Sequence, residues 1–134
     1  MRTKLRAFQL GEVFTPIRIV HQMLDMWPCA YWSDATWTIG DITGCGNGNF
    51  LVEAIKRKIE AGLTPTQALN TTFGIDIMQD NIDECRERLL KQAEESSNEE
   101  RNEQWVKIVE HNIICGDALT FDWDAFEPLE LKED

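Results

Sequence analysis

Three glycines alternate at Gly44, Gly46 and Gly48, just behind a carboxylate, in the run Asp41-Ile-Thr-Gly-Cys-Gly-Asn-Gly-Asn-Phe50. Without a Cβ these residues let the backbone turn sharply and let a bound group approach it closely. A helix that follows such a loop turns its free N–H groups toward a carboxylate or phosphate. The dinucleotide fingerprint G-x-G-x-x-G needs its third glycine at position 49, where this chain has Asn49. Asp41 stands three residues ahead of the first glycine, where it can receive an ammonium group. The form acid-x-x-Gly-x-Gly-x-Gly therefore suits a zwitterionic amino-acid moiety better than a pyrophosphate. A second acid, Asp76, closes the run Thr71-Thr-Phe-Gly-Ile-Asp76. Its two oxygens can accept both hydroxyls of a ribose; its other roles would be a helix cap or a surface charge. Ile77 beside it can cover one face of an adenine ring. Asp117, after Gly116, can accept from an exocyclic amino group or serve as a turn residue.

The elements that must position these residues are legible in the apolar spacing. The first dozen residues read as irregular. Thr15 can cap a helix with Pro16 at its first position, and Ile17, Val20, Met23 and Leu24 form a helical stripe ended by Pro28. Residues 29–35 read as a connection. Residues 36–42 read as a short buried strand. A helix spans about Asn49 to Ala61, with Leu51, Ala54, Ile55 and Ile59 on one face and Gly62 closing it. Thr64-Pro65 starts a short helix through Leu69, and residues 71–77 form the second strand. A third long helix follows, capped by Asp80 or a neighbour, with Ile82, Cys85, Leu89 and Ala93 at helical spacing. It runs into a polar stretch, residues 94–101, that is either helix extension or loop. Order resumes at Trp105–Ile108; Asn112–Cys115 is a third strand, and the residues from Phe121 on are acidic with interspersed aromatics and give no firm element. Alternating strands and helices imply an α/β fold with parallel pairing, and ligands of such sheets sit beyond the C-terminal strand ends. The glycine loop, Asp76 and Asp117 all fall there.

Composition narrows the setting. The 134 residues make one domain, and no stretch reaches the length of a membrane span. Cys29, Cys45, Cys85 and Cys115 are scattered without a Cys-x-x-Cys pair, a pattern of reduced thiols in a cytoplasmic protein rather than a disulfide framework or zinc site. A net charge of −11 opposes direct contact with a phosphate backbone.

On these residues the chain resembles the class I S-adenosylmethionine-dependent methyltransferases, and within them the N-terminal, cofactor-binding half of the adenine-N6 DNA methyltransferases of restriction–modification or phage type. The resemblance is carried by Gly11-Glu-Val-Phe14-Thr15-Pro16, by the glycine loop through Leu51, by Gly74-Ile-Asp76 and by Asn112-Ile-Ile-Cys-Gly-Asp117-Ala118, and it covers nearly the whole chain. It implies a Rossmann-like methyltransferase fold truncated to about three parallel strands with flanking helices: an N-terminal segment and helix (1–35), a Rossmann-like half (36–119) and an acidic tail (120–134). It implies S-adenosylmethionine as cofactor. Phe14, Thr15 and Pro16 would line its methionine end, Asp41 would hold the amino group, and Gly44, Gly46 and Gly48 would leave room for the methionine portion. Asp76 would bind the ribose and Asp117, with Ala118 beside it, the adenine.

The family's Asn/Asp-Pro-Pro-Tyr/Phe loop, which holds a flipped adenine, has no counterpart in these residues; Pro128 is the only proline after Pro65. The resemblance thus implies adenine methylation only with a partner that supplies this loop. The alternatives are a non-catalytic S-adenosylmethionine-binding or regulatory module and a relic that binds nothing. Because the family's first strand is central, its open edge here is expected to be covered by a second copy or a complementary subunit.

Overall fold

The computed structural model describes residues 16–41, 44–127 and 129–131; Phe14 and Thr15 lie outside them. Six helices and three strands follow one another among these residues: α1 (Ile17–Asp25), α2 (Cys29–Trp32), β1 (Ile39–Asp41), α3 (Asn49–Glu60), α4 (Pro65–Asn70), β2 (Thr72–Asp76), α5 (Gln79–Ser97), α6 (Glu103–Asn112) and β3 (Ile113–Cys115). The strands form one parallel sheet in the order β1-β2-β3. Ile39 lies opposite Thr72, and Gly74 opposite Ile113. The expected α/β class and parallel pairing are present.

Local chemistry explains most boundaries and several departures. Pro16 precedes α1 and does not open it: its carbonyl accepts from Ile19 and Val20 N–H, both at 3.0 Å. Of the expected stripe only Val20 and Leu24 are buried, whereas Ile17 and Met23 are exposed. Pro28 ends one helix and starts another, so the expected connection after it contains α2; a proline forbids continuation behind it but presets φ for the turn ahead. The strand expected from Thr36 begins only at Ile39, because Thr36 donates from both N and Oγ1 to Asp34 Oδ1, at 2.8 and 2.6 Å, in a turn that leaves no extended backbone. Thr64 and Gln67 form a reciprocal capping box that fixes the start of α4. Asp80 sits in the first turn of α5, behind Met78, rather than capping it. The polar stretch is helix as far as Ser97; Asn98 ends it at φ +58, and Arg101 folds back onto Glu94 and Glu87 at 2.7 and 2.6 Å.

Two apolar clusters hold these elements. The larger joins Leu51 and Ile55 of α3 to Ile82, Leu89 and Trp105, and the smaller joins Val20, Leu24, Trp32 and Ile39 to Ala54. α3 contributes to both. Gly74 of β2 faces α3 so closely that a Cβ there would stand 2.7 Å from Leu51 Cδ1. Phe73, on the opposite face by strand alternation, meets the ring of Phe126 at 5.9 Å, and Phe126 stacks on His111 at 5.0 Å. The C-terminal segment, expected to form no firm element, has no helix or strand among its described residues but folds back over the sheet. Among the described residues β1 pairs with β2 alone, and no helix is long and apolar enough to cross a membrane.

Ile59 packs, partly buried, against the larger cluster as expected, and beside it on α3 the Lys58 side chain is fully buried. Its Nζ donates to Thr71 Oγ1 at 2.6 Å, Thr71 O at 3.0 Å and Trp37 O at 3.4 Å. This pins the approaches to β1 and β2 together at the end of the sheet remote from the glycine loop. Burial pushes its pKa down from 10.5 to about 7. Between those values the unfolded chain holds a proton that the folded chain has released, so stability rises with pH across this window, by at most about 1.4 kcal/mol per pH unit. Urea denaturation at pH 7, 8 and 9 should show that rise, and Lys58→Met should flatten it.

Candidate functional site

The three strands end on acids or lead to one: Asp41 closes β1, Asp76 closes β2, and Asp117 follows β3. The glycine loop does not arch away from the sheet. Cys45 N–H donates to Ile75 O at 2.9 Å, extending the contact with β2, and Gly46 N–H donates to Asp76 Oδ2 at 3.0 Å. Gly48 N–H then turns back to Cys45 O at 3.0 Å, and Val52 N–H to Gly48 O at 2.8 Å begins α3. Gly44, Gly46 and Gly48 have φ of +116, +56 and +94, the left-handed region that disfavours a side chain. At Gly48 sterics add to this, since a Cβ would lie 2.8 Å from Cys85 Sγ on α5.

Asp76 is 9% exposed. Besides Gly46 it accepts from Met78 N–H at 2.8 Å and Asn81 Nδ2 at 3.4 Å, both on Oδ1. Such donors make a buried carboxylate tolerable. Each carboxylate oxygen offers two lone-pair directions, so Oδ2 retains acceptor capacity beyond the Gly46 bond. The carboxylate that was expected to bind ribose is thus also the anchor of the glycine loop. The buried Cys45 thiol is pushed far up by a hydrogen bond with Cys85, by burial, and then by the charges of Cys85, Asp41 and Asp76. It is protonated at neutral pH and serves as packing, not as a nucleophile.

The remaining expected residues fall around this centre. Gly116 N–H donates to Asp76 O at 2.9 Å, setting the exit of β3 beside the end of β2. Asp117 is exposed; its Oδ1 accepts from Leu119 N–H at 2.9 Å and its carbonyl from Phe121 N–H at 2.8 Å, so it performs the turn role that was open to it. Ala118 O accepts from Trp123 Nε1 at 3.0 Å. Ile77 is 55% exposed, an apolar side chain left facing solvent next to Asp76. Pro16 heads α1, whose Val20 and Leu24 pack on Ala54 of α3. Two supporting residues were missed. Asn81 and Arg88 flank the apolar stripe of α5, and Arg88 Nη1 reaches Asn47 O at 2.9 Å and Asn49 Oδ1 at 2.8 Å. Only a polar Asn at a core-facing helical position hinted at the first, and nothing local marked the second.

Among the described residues Asn47 Oδ1 on the loop and Asn112 Oδ1 at the end of α6 are buried without a hydrogen-bond partner. No family model, curated protein or solved structure matches this chain.

Replacing Gly48 by Ala combines a positive φ with the Cys85 contact and should cost about 2 kcal/mol or more. Gly44→Ala has a φ penalty but an ordinary 3.6 Å separation from Asp76 Oδ2, and should cost about 1 kcal/mol. Urea midpoints of the two variants check the order.

Proposed function

We propose that this chain is an S-adenosylmethionine-binding, methyltransferase-like protein with a Rossmann-like half-sheet, related to the adenine-N6 DNA methyltransferases. The observation that carries the reading is the 3.0 Å bond from Gly46 N–H to Asp76 Oδ2. It joins the loop suited to an amino-acid moiety to the acid suited to a ribose, at the end of a parallel sheet where ligands of α/β folds lie.

The residues fit such a cofactor. Gly44 is exposed at the mouth of the loop, and a side chain there would stand 3.6 Å from Asp76 Oδ2, in the space between the two half-sites. Asp41 would attract the ammonium group and the glycine backbone would admit the methionine chain. Asp76 would accept from the ribose hydroxyls, Ile77 would cover the adenine, and Asp117 and Ala118 would border its edge. Phe14, Thr15 and Pro16 would complete the methionine end. When bound, the cofactor supplies an electrophilic methyl group on a sulfonium; this chain's residues hold and orient it.

Transfer to adenine calls for a loop that accepts the amino hydrogens of a flipped base, and these 134 residues contain no Asn/Asp-Pro-Pro-Tyr/Phe sequence. In the proposed activity a complementary subunit or a second copy supplies it, together with the contacts to DNA that a net charge of −11 opposes here. The cytoplasm, where both substrates occur, is the proposed compartment. The same missing sequence favours a second reading, a non-catalytic module that binds or senses the cofactor.

Calorimetry with S-adenosylmethionine should show saturable binding to the wild type and at least about tenfold weaker binding to Asp76→Ala, the loss expected for hydrogen bonds to a charged acceptor. No heat with the wild type would refute both readings, and equal affinity in the variant would refute the ribose assignment. Methyl transfer to adenine in DNA only after a partner is added would select the first reading.

A further inference from the structure

α5 braces the glycine loop along a single stripe. Asn81, Cys85 and Arg88 stand at i, i+4 and i+7 and so share one face. Asn81 Nδ2 reaches Asp76, Cys85 lies against Gly48, and Arg88 Nη1 donates to Asn47 O and Asn49 Oδ1 at 2.9 and 2.8 Å. The loop therefore has two separate anchors. Its first half is tied to β2 through Cys45 and Gly46. Its second half, from Asn47 to Asn49, is spanned by the Arg88 guanidinium. That half contains Gly48, where the positive φ and the nearness of Cys85 leave no room for a side chain, and Asn47, whose Oδ1 is buried without a hydrogen-bond partner among the described residues.

We propose that Arg88 is the positioning residue for the amino-acid half of the ligand site. By bridging Asn47 and Asn49 across Gly48, it fixes the loop that receives the amino-acid moiety while leaving the adenosine half to Asp76. This rests on the S-adenosylmethionine reading above. A charged donor suits the task, because charge-assisted hydrogen bonds are roughly twice as strong as neutral ones, and one Nη carries two N–H groups for the two acceptors. Arg88 is only partly buried, and the apolar cluster beneath it (Leu51, Ile55, Cys85, Leu89) does not include it. Its loss should therefore change the loop more than the fold.

The test compares two probes on the full chain: S-adenosylhomocysteine, and 5′-methylthioadenosine, which lacks the amino-acid portion. Arg88→Met should weaken S-adenosylhomocysteine about tenfold and leave 5′-methylthioadenosine unchanged; Arg88→Lys should recover part of the loss. Asn49→Ala, which removes one acceptor from the other side, should give a smaller loss with the same selectivity and serves if Arg88→Met does not fold. Equal losses for both probes would make Arg88 a general support of the fold and overturn the proposal, as would unchanged S-adenosylhomocysteine affinity. If the truncated probe binds too weakly to measure, absence of recovery in Arg88→Lys overturns it. A wild type that binds neither probe overturns the underlying reading of the site instead.

Discussion

The carboxylate of Asp76 is where the separate parts of the chain meet. It closes β2, accepts the glycine loop through Gly46, the entry to α5 through Met78 and the side chain of Asn81, while its own carbonyl receives Gly116 beyond β3. A buried carboxylate without such donors would cost several kcal/mol in lost solvation; with them it becomes a joint. The three strand ends are held in one place by hydrogen bonds to a single residue and its immediate neighbours. The loop can come this close only because it presents backbone, and that requirement accounts for alternating glycine better than flexibility does.

The rest of the packing keeps that joint from moving. α3 lies between the two apolar clusters, contributing Leu51 and Ile55 to one and Ala54 to the other, so the helix behind the loop is fixed on both flanks. At its far end buried Lys58 fastens the approaches to both β1 and β2. α5 then closes the loop from the side. The helix, the strand and the loop between them are held by contacts that need no ligand, which under the proposed reading would reduce the ordering cost of binding.

What could be seen in the sequence was whatever depends on local order. The 3.6-residue period of Ile82, Cys85, Leu89 and Ala93, the Thr64-Pro65 start and the glycine loop are properties of neighbours in the chain, and each appears at its expected place. Departures arose where a local signal had two outcomes: Pro28 both ends and begins a helix, and Thr36 has strand propensity but is taken by Asp34. What stayed hidden depends on contacts across many residues. Arg88 and Asn47 are 41 positions apart, and nothing in a helical arginine announces that it will bridge a distant loop. Lys58 was invisible for the opposite reason, since a lysine reads as surface until Thr71 and Trp37 are brought over it. Asp117 could read as ligand acceptor or as turn former, and its side chain and carbonyl make the turn through Leu119 and Phe121.

Under the proposed reading, the division between binding and using a ligand would follow from the sheet itself. Every group assigned to the cofactor lies on the ends of β1, β2 and β3 or in the segment ahead of α1, and one face of the sheet is occupied around Phe73 by the aromatic C-terminal segment. Among the described residues the side of β1 away from β2 carries no further strand, and Gly40 is exposed there. Under the proposed reading a second reactant would approach the cofactor from that side. Under that reading the open side of β1 among the described residues is where the groups that use a methyl donor would stand, while the residues proposed to hold it are gathered at the strand ends on the other half of the sheet.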